Sequence, residues 1–150
     1  MSREAHRDIE YAKAPIAVFV ESSGGGIARV SFELISKARE LVSKGEREVV
    51  ALFPCFRDMK LASGLIDAGA DRAIVAKDPV FDTYETGYYA SAVSGMARHL
   101  LPDVLLFGAT PLGRDLAPRV ANRLATGLTA DCTALEFDEE GNLLLQTRPA

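Results

Sequence analysis

Four short, largely uninterrupted apolar runs, IAVFV (16–20), EVVALF (48–53), RAIVA (72–76) and VLLFG (104–108), are separated by segments of helical period. Runs of this kind suit strands covered on both faces, as in a parallel sheet. In the intervening segments Leu34, Ile35, Ala38, Leu41 and Val42 form one apolar stripe, with Gly45 as its stop. A second stripe joins Leu61, Ala62, Leu65 and Ile66 and is stopped by Gly69. The third helix is expected to open at Asp82, with Glu85 completing a capping box, and to carry Tyr89, Ala92, Val93, Met96, Ala97 and Leu100 on one face. Leu116, Ala117, Val120, Ala121 and Leu124 make the fourth stripe. Strand–helix alternation repeated four times predicts right-handed βαβ units and an open, doubly wound α/β sheet.

The end of the chain breaks this pattern. In LTADCTALEF (128–137), Leu128, Ala130, Cys132 and Ala134 alternate with Thr129, Asp131 and Thr133. EEGN (139–142) reads as a turn and LLLQ (143–146) as a returning strand, so a β-hairpin is expected there. Three short polar side chains on one strand face require water, an edge, or groups from outside the chain. Residues 1–14 read as a polar leader before Pro15.

With 150 residues the chain holds one domain, and its net charge of −4 disfavours a nucleic-acid surface. No apolar run approaches the ~20 residues of a membrane span. Cys55 and Cys132 lie far apart, and with only His6 and His99 beside them neither a zinc site nor a disulfide framework is expected. A reduced, cytoplasmic (prokaryotic) setting is the plain reading.

Two glycine loops invite a nucleotide reading. SSGGGIA (22–28) follows the first strand, but its spacing is neither GxGxxG nor a P-loop, so a flexible or tight loop is the better reading. GATPLGRD (108–115) follows the fourth strand, with Thr110 as N-cap and Pro111 at N1. A later start, with Asp115 as N-cap, would ease Pro118; the reading adopted is a start at Thr110 with an irregularity near Arg114–Pro118. In the usual doubly wound order both loops flank the topological switch point. Fold logic thus nominates Gly24, Gly25, Gly108, Thr110, Gly113 and Arg114 as an adenine-nucleotide crevice. Asp115, Arg119, Arg114 and Arg123 read either as a solvated helix face with one weak ion pair, or as a charged surface that a partner covers. Asp67, Asp71, Asp78 and Asp82 read as caps, and His99 as a helix-dipole partner. No nucleophile–base pair stands out, so no catalytic residue is expected.

The segment PDVLLFGATPLGRDLAPRVANRLATGLTADCTALEFDEEGNLLLQTRPA (102–150) resembles the N-terminal domain of electron transfer flavoprotein alpha subunits. The order GATxxGRDLAPRxAxRLxTGLTADCT, then a TRPA end, is specific to that family. The upstream VFVE strand, SFELISKARELVSKG helix and GADRAIVAKDP element fit as well, so the likeness covers 15–150. The resemblance implies a three-layer α/β/α domain similar to adenine-nucleotide hydrolase-like folds. Its sheet would be mostly parallel and five-stranded, ordered 3-2-1-4-5, with the hairpin appended. It also implies a heterodimer with a beta subunit, and electron transfer from acyl-CoA dehydrogenases or related flavoenzymes to a quinone oxidoreductase. FAD would be held mainly by a separate C-terminal domain, and AMP by the beta subunit.

Family members continue beyond TRPA into a flavin domain, so this chain is expected to be a piece of a longer protein or one half of a split subunit, binding little flavin alone. The resemblance sets the Gly-Arg-Asp element to shaping a turn rather than holding a phosphate. Thr129, Asp131, Thr133, Gln146 and Arg148 are the expected interface residues. A stand-alone adenine-nucleotide module of stress-protein type is the alternative.

Overall fold

The computed structural model describes residues 13–23, 25–42, 46–129, 134–137 and 144–147. In chain order the elements are β1 (Ile16–Phe19), β2 (Ser22–Ser23), β3 (Gly26–Ile27), α1 (Arg29–Leu41), β4 (Val49–Cys55), α2 (Ala62–Asp67), β5 (Arg72–Lys77), α3 (Thr86–Leu100), β6 (Val104–Leu106), α4 (Pro111–Arg123), β7 (Ala134–Phe137) and β8 (Leu144–Thr147). Strands β5, β4, β1 and β6 lie side by side in that order, and every pairing is parallel. Counting only these strands along the chain, the order is 3-2-1-4.

Where the sequence reading placed a fifth strand over 128–137, the described part differs. Residues 128 and 129 have no regular structure, and β7 pairs antiparallel with β8 in a two-stranded ribbon. The main sheet therefore has four strands among the described residues, and the expected hairpin is present. Residues 130–133 lie outside the described residues, as does the leader up to residue 12.

Side chains alternate along the strands and split the core in two. Ile16, Val18, Val49, Ala51 and Phe53 pack with Ile35, Ala38 and Leu65 on the α1/α2 side. Ala17, Phe19, Val50 and Leu52 pack with Tyr89, Val93, Met96, Leu116 and Val120 on the α3/α4 side. This is the three-layer α/β/α arrangement, with β1 and β4 covered on both faces. Each fully buried Phe, Leu or Ile contributes about 1.5–3 kcal/mol, which is why the continuous apolar runs form the centre of the sheet.

Several local expectations change. α1 ends at Leu41, with Val42 already extended, and Gly45 lies outside the described residues. Gly69 does stop α2, at φ +127°, a conformation that L side chains rarely adopt. Ile66, placed on the second stripe, is instead 45% exposed, and Leu65 is the buried residue of the six-residue α2. α3 begins at Thr86, not Asp82: Asp78 accepts from the Val80 N–H and caps a separate 3-10 turn, Pro79–Phe81. Asp82 follows that turn and pairs with Arg57 at 3.0 Å. Nor is Asp71 a cap, since its carboxylate accepts from the Val49 N–H and pairs with Arg39, both at 2.8 Å.

Ser94 is fully buried in α3, and its Oγ finds no hydrogen-bond partner among the described residues. Its desolvation is therefore uncompensated. Ser94→Ala is expected to raise stability by about 1 kcal/mol, seen as a higher urea midpoint at unchanged slope. A lowered midpoint would mean that the hydroxyl is satisfied in solution.

Candidate functional site

The switch point lies between β1 and β6, where the chain leaves toward opposite edges of the sheet. The loops after these strands do meet there, as the sequence reading required. After β1 the chain turns back on itself: Ser22 pairs with Ile27 and Ser23 with Gly26, with Gly25 at φ +80° in the bend. Gly25 and Gly26 thus belong to a miniature antiparallel ribbon. Gly24 lies outside the described residues.

Thr110 caps α4 as its sequence context indicates. The Gly113 N–H donates to Thr110 Oγ1 at 3.0 Å, and the Arg114 N–H donates to the Thr110 carbonyl at 2.8 Å. The same hydroxyl donates to Glu21 Oε2 at 2.7 Å. Glu21 is held in turn, its N–H donating to the buried Ser31 Oγ at 2.8 Å and its carbonyl accepting from the Ala28 N–H at 2.8 Å. A carboxylate of the chain therefore stands at the N-terminus of α4, where the helix dipole favours negative charge. It occupies the place an anionic ligand would need.

Gly108 and Gly113 are closely packed. A Cβ on Gly113 would overlap the Gly108 carbonyl oxygen, and one on Gly108 would come within 2.8 Å of Val30 Cγ2. Backbone packs on backbone here, and no phosphate can take that room. Gly108 and Gly113 leave no room between them for the phosphates of FAD or AMP. Arg114 is exposed on the first turn of α4.

Beyond Thr110, the Gly-Arg-Asp element ties the two helices together. Asp115 accepts from Tyr84 Oη at 2.7 Å and from Thr86 Oγ1 at 2.6 Å. These bonds, Thr86's first, hold the Asp115 carboxyl below the usual aspartate range. Arg119 approaches Asp115 at 3.8 Å, the weak ion pair expected from the spacing. α4 runs without a break through Pro118, against the expected irregularity. Pro118 lies on the exposed side, where water can satisfy the carbonyl it leaves unpaired.

Below this junction Phe19, Phe107, Tyr84, Phe81 and Tyr89 form an aromatic group, with Tyr84 and Tyr89 centroids 5.0 Å apart. The Tyr89 hydroxyl donates to the Phe81 carbonyl at 2.7 Å, and burial pushes its pKa up to about 12. Burial also raises Cys55, the opposite of what a reactive thiolate needs. Among the described residues no three His, Cys, Asp or Glu side chains are grouped to hold a metal ion, and no helix is long and apolar enough to cross a membrane.

Of the expected interface residues, Thr129 is partly buried just past α4. Gln146 falls in β8, in register with Leu135, while Asp131, Thr133 and Arg148 lie outside the described residues. Sequence reasoning missed Glu21 and the Tyr84–Thr86–Asp115 junction. The one available signal for Glu21 was a carboxylate placed directly after a buried strand.

The family model for the electron transfer flavoprotein domain matches residues 16–150. The chain belongs to the electron transfer flavoprotein family. It is 47% identical over 135 residues to the electron transfer flavoprotein subunit alpha of Thermoanaerobacterium thermosaccharolyticum, covering 90% of this chain and 41% of that protein. It is 44% identical over 136 residues to the same subunit of Megasphaera elsdenii, covering 90% and 40%. The lactate dehydrogenase (NAD(+),ferredoxin) subunit LctC of Acetobacterium woodii is 42% identical over 135 residues, covering 90% and 32%. The chain thus spans about two fifths or less of the length of these relatives. Motif, fold and relatives agree on a domain of the alpha-subunit N-terminal kind.

Proposed function

We propose that this domain is a docking scaffold of an electron transfer flavoprotein alpha subunit. It associates with a beta subunit and supports FAD-carried electron transfer from acyl-CoA dehydrogenases or related flavoenzymes towards the quinone pool. It contributes no catalytic residue of its own. FAD is held elsewhere in the complex and AMP by the beta subunit. The observation that carries this reading is the closed switch point, where Glu21, Thr110 and the Gly108–Gly113 contact fill the nucleotide position. A domain that keeps the nucleotide-binding architecture while filling the crevice is suited to holding other parts in place. One relative is named for lactate, NAD(+) and ferredoxin rather than for an acyl-CoA substrate. That variety fits a scaffold whose electron donor is chosen outside this domain.

Thr129, Asp131, Thr133, Gln146 and Arg148 are proposed to contact the beta subunit. Titrating the chain with a beta subunit in a calorimeter should give 1:1 association, weakened about tenfold or more by Asp131→Ala with Arg148→Ala. Undiminished affinity would remove those two residues from the interface. The same calorimeter should register no heat with AMP. Micromolar AMP binding would instead support the stand-alone nucleotide module.

A further inference from the structure

The main sheet ends at β5, which pairs with β4 alone among the described residues. The ladder decides which backbone groups of β5 stay open. The Val20 N–H donates to the Leu52 carbonyl, so Leu52 faces β1, and Ala51, Phe53 and Cys55 face β5. In a parallel ladder each of these bonds to the two residues that flank its opposite number. Arg72, Ile74 and Ala76 therefore turn their N–H and C=O groups to β4, as does Asp78, whose N–H donates to the Cys55 carbonyl at 3.1 Å. Ala73, Val75 and Lys77 turn theirs outward, where no described residue bonds to them. Open groups on an edge are a template for a further strand. β5 contains no proline to block one, since Pro79 follows its end.

Backbone phase and charge together select the added strand. A second β5, antiparallel about a twofold axis at Val75, sets Val75 opposite Val75 and Ala73 opposite Lys77. Every outward residue then meets an outward residue, and Arg72 stands opposite Asp78 of the second copy at both ends of the contact. An axis at Ile74 would instead set Lys77 against Asp71, whose N–H is already committed to the Val49 carbonyl at 2.8 Å. An axis between Ile74 and Val75 would set Arg72 against Lys77, like against like, and oppose outward residues to inward ones. The twofold at Val75 also brings α2, which packs on β5, beside its copy. The 3-10 turn Met59–Leu61 and α2 leave Met59 and Ile66 47% and 45% exposed, apolar surface beside the open edge.

We propose that two copies of this chain associate through β5, antiparallel and centred on Val75, into one continuous sheet. The contact is self-complementary, so it closes at two copies. It is independent of the beta-subunit reading.

The test is sedimentation of the chain alone over a concentration series. Wild type should shift from 16.1 kDa towards twice that mass as concentration rises. In the dimer the Ala73, Val75 and Lys77 amides should exchange with solvent more slowly. Val75→Pro deletes an outward N–H that the fold does not use and should leave a monomer. Arg72→Glu and Asp78→Lys each place like charges across the contact and should weaken it about tenfold. Mixed in equal amounts, these two variants restore opposite charges at both ends, and association should return to near the wild-type level. Thermal melts confirm that each variant is folded. A wild type that stays monomeric throughout overturns the proposal. If Val75→Pro then also abolishes binding to the beta subunit, the edge belongs to a strand of that partner instead. Dimers that survive Val75→Pro place the contact on another face, and losses that mixing does not repair overturn the register. Amides that exchange no more slowly in the dimer overturn the β5 contact without recourse to any variant. Whether the domain binds a beta subunit is read separately, in the calorimeter.

Discussion

Gly113→Ala is expected to cost about 3 kcal/mol of unfolding free energy, enough to lower expression and shift the urea midpoint markedly. The added methyl would overlap the Gly108 carbonyl oxygen and press to 3.3 Å from Thr110 Oγ1. The opposing atom belongs to the backbone, so relief requires moving the β6–α4 loop and with it the cap on α4. Gly108→Ala offers a contrast, because the methyl there meets the Val30 side chain at 2.8 Å. A side chain can turn aside or be trimmed. Gly108→Ala should therefore cost less, and combining it with Val30→Ala should recover part of the loss. No substitution elsewhere in the loop should rescue Gly113→Ala. If Gly113→Ala melts within about 0.5 kcal/mol of wild type, below the ordinary range for core strain, the close backbone contact is not present in solution. The same clash makes any loss of ligand binding in a bulkier Gly113 variant a report on folding.

That contact also shows how far the sequence could be read. Glycine permits close approach of whatever lies opposite, and the sequence alone does not say whether that is a phosphate or a carbonyl. The strands and the helix faces were legible because burial on two faces or on one stripe imposes its period on the residues. Thr110-Pro111 was legible because a cap and its helix lie within three residues of each other. The start of α3 was not. Asp82 and Glu85 have the spacing of a capping box, but the preceding Asp78-Pro79 turns the chain first. The helix then begins at Thr86 with its hydroxyl on Asp115, 29 residues away. Glu21 likewise acquires its role only through Thr110, 89 residues on. Both roles are tertiary, and no local pattern encodes them. The family motif carried the reading where local chemistry could not: GRD looked like a phosphate loop, and the structure makes it a joint between two helices.

The opposite end of the sheet bears on whether that joint is held in place, and the second large effect is expected there. Asp103→Ala should cost about 2 kcal/mol, whereas Arg47→Met should cost no more than about 1 kcal/mol. Arg47 precedes β4, and its side chain is only 3% exposed; it donates to the Ala14 carbonyl and to Asp103 Oδ2, each at 2.6 Å. Asp103 precedes β6 and its side chain is 54% exposed. The burial is lopsided, so the two deletions are not equivalent. Without Asp103 the buried guanidinium loses this carboxylate while keeping its other partners, the Ala14 carbonyl among them. Without Arg47 the carboxylate turns to water, and methionine fills the volume left behind. The double variant should therefore be more stable than Asp103→Ala alone, by about 1–2 kcal/mol. Equal single-variant losses, or no recovery in the double, would sink the buried-charge account. Because Arg47 joins the entries of β4, β1 and β6, loosening it should also weaken binding to the beta subunit. That loss should track global stability, read as parallel shifts in the urea midpoint and in affinity.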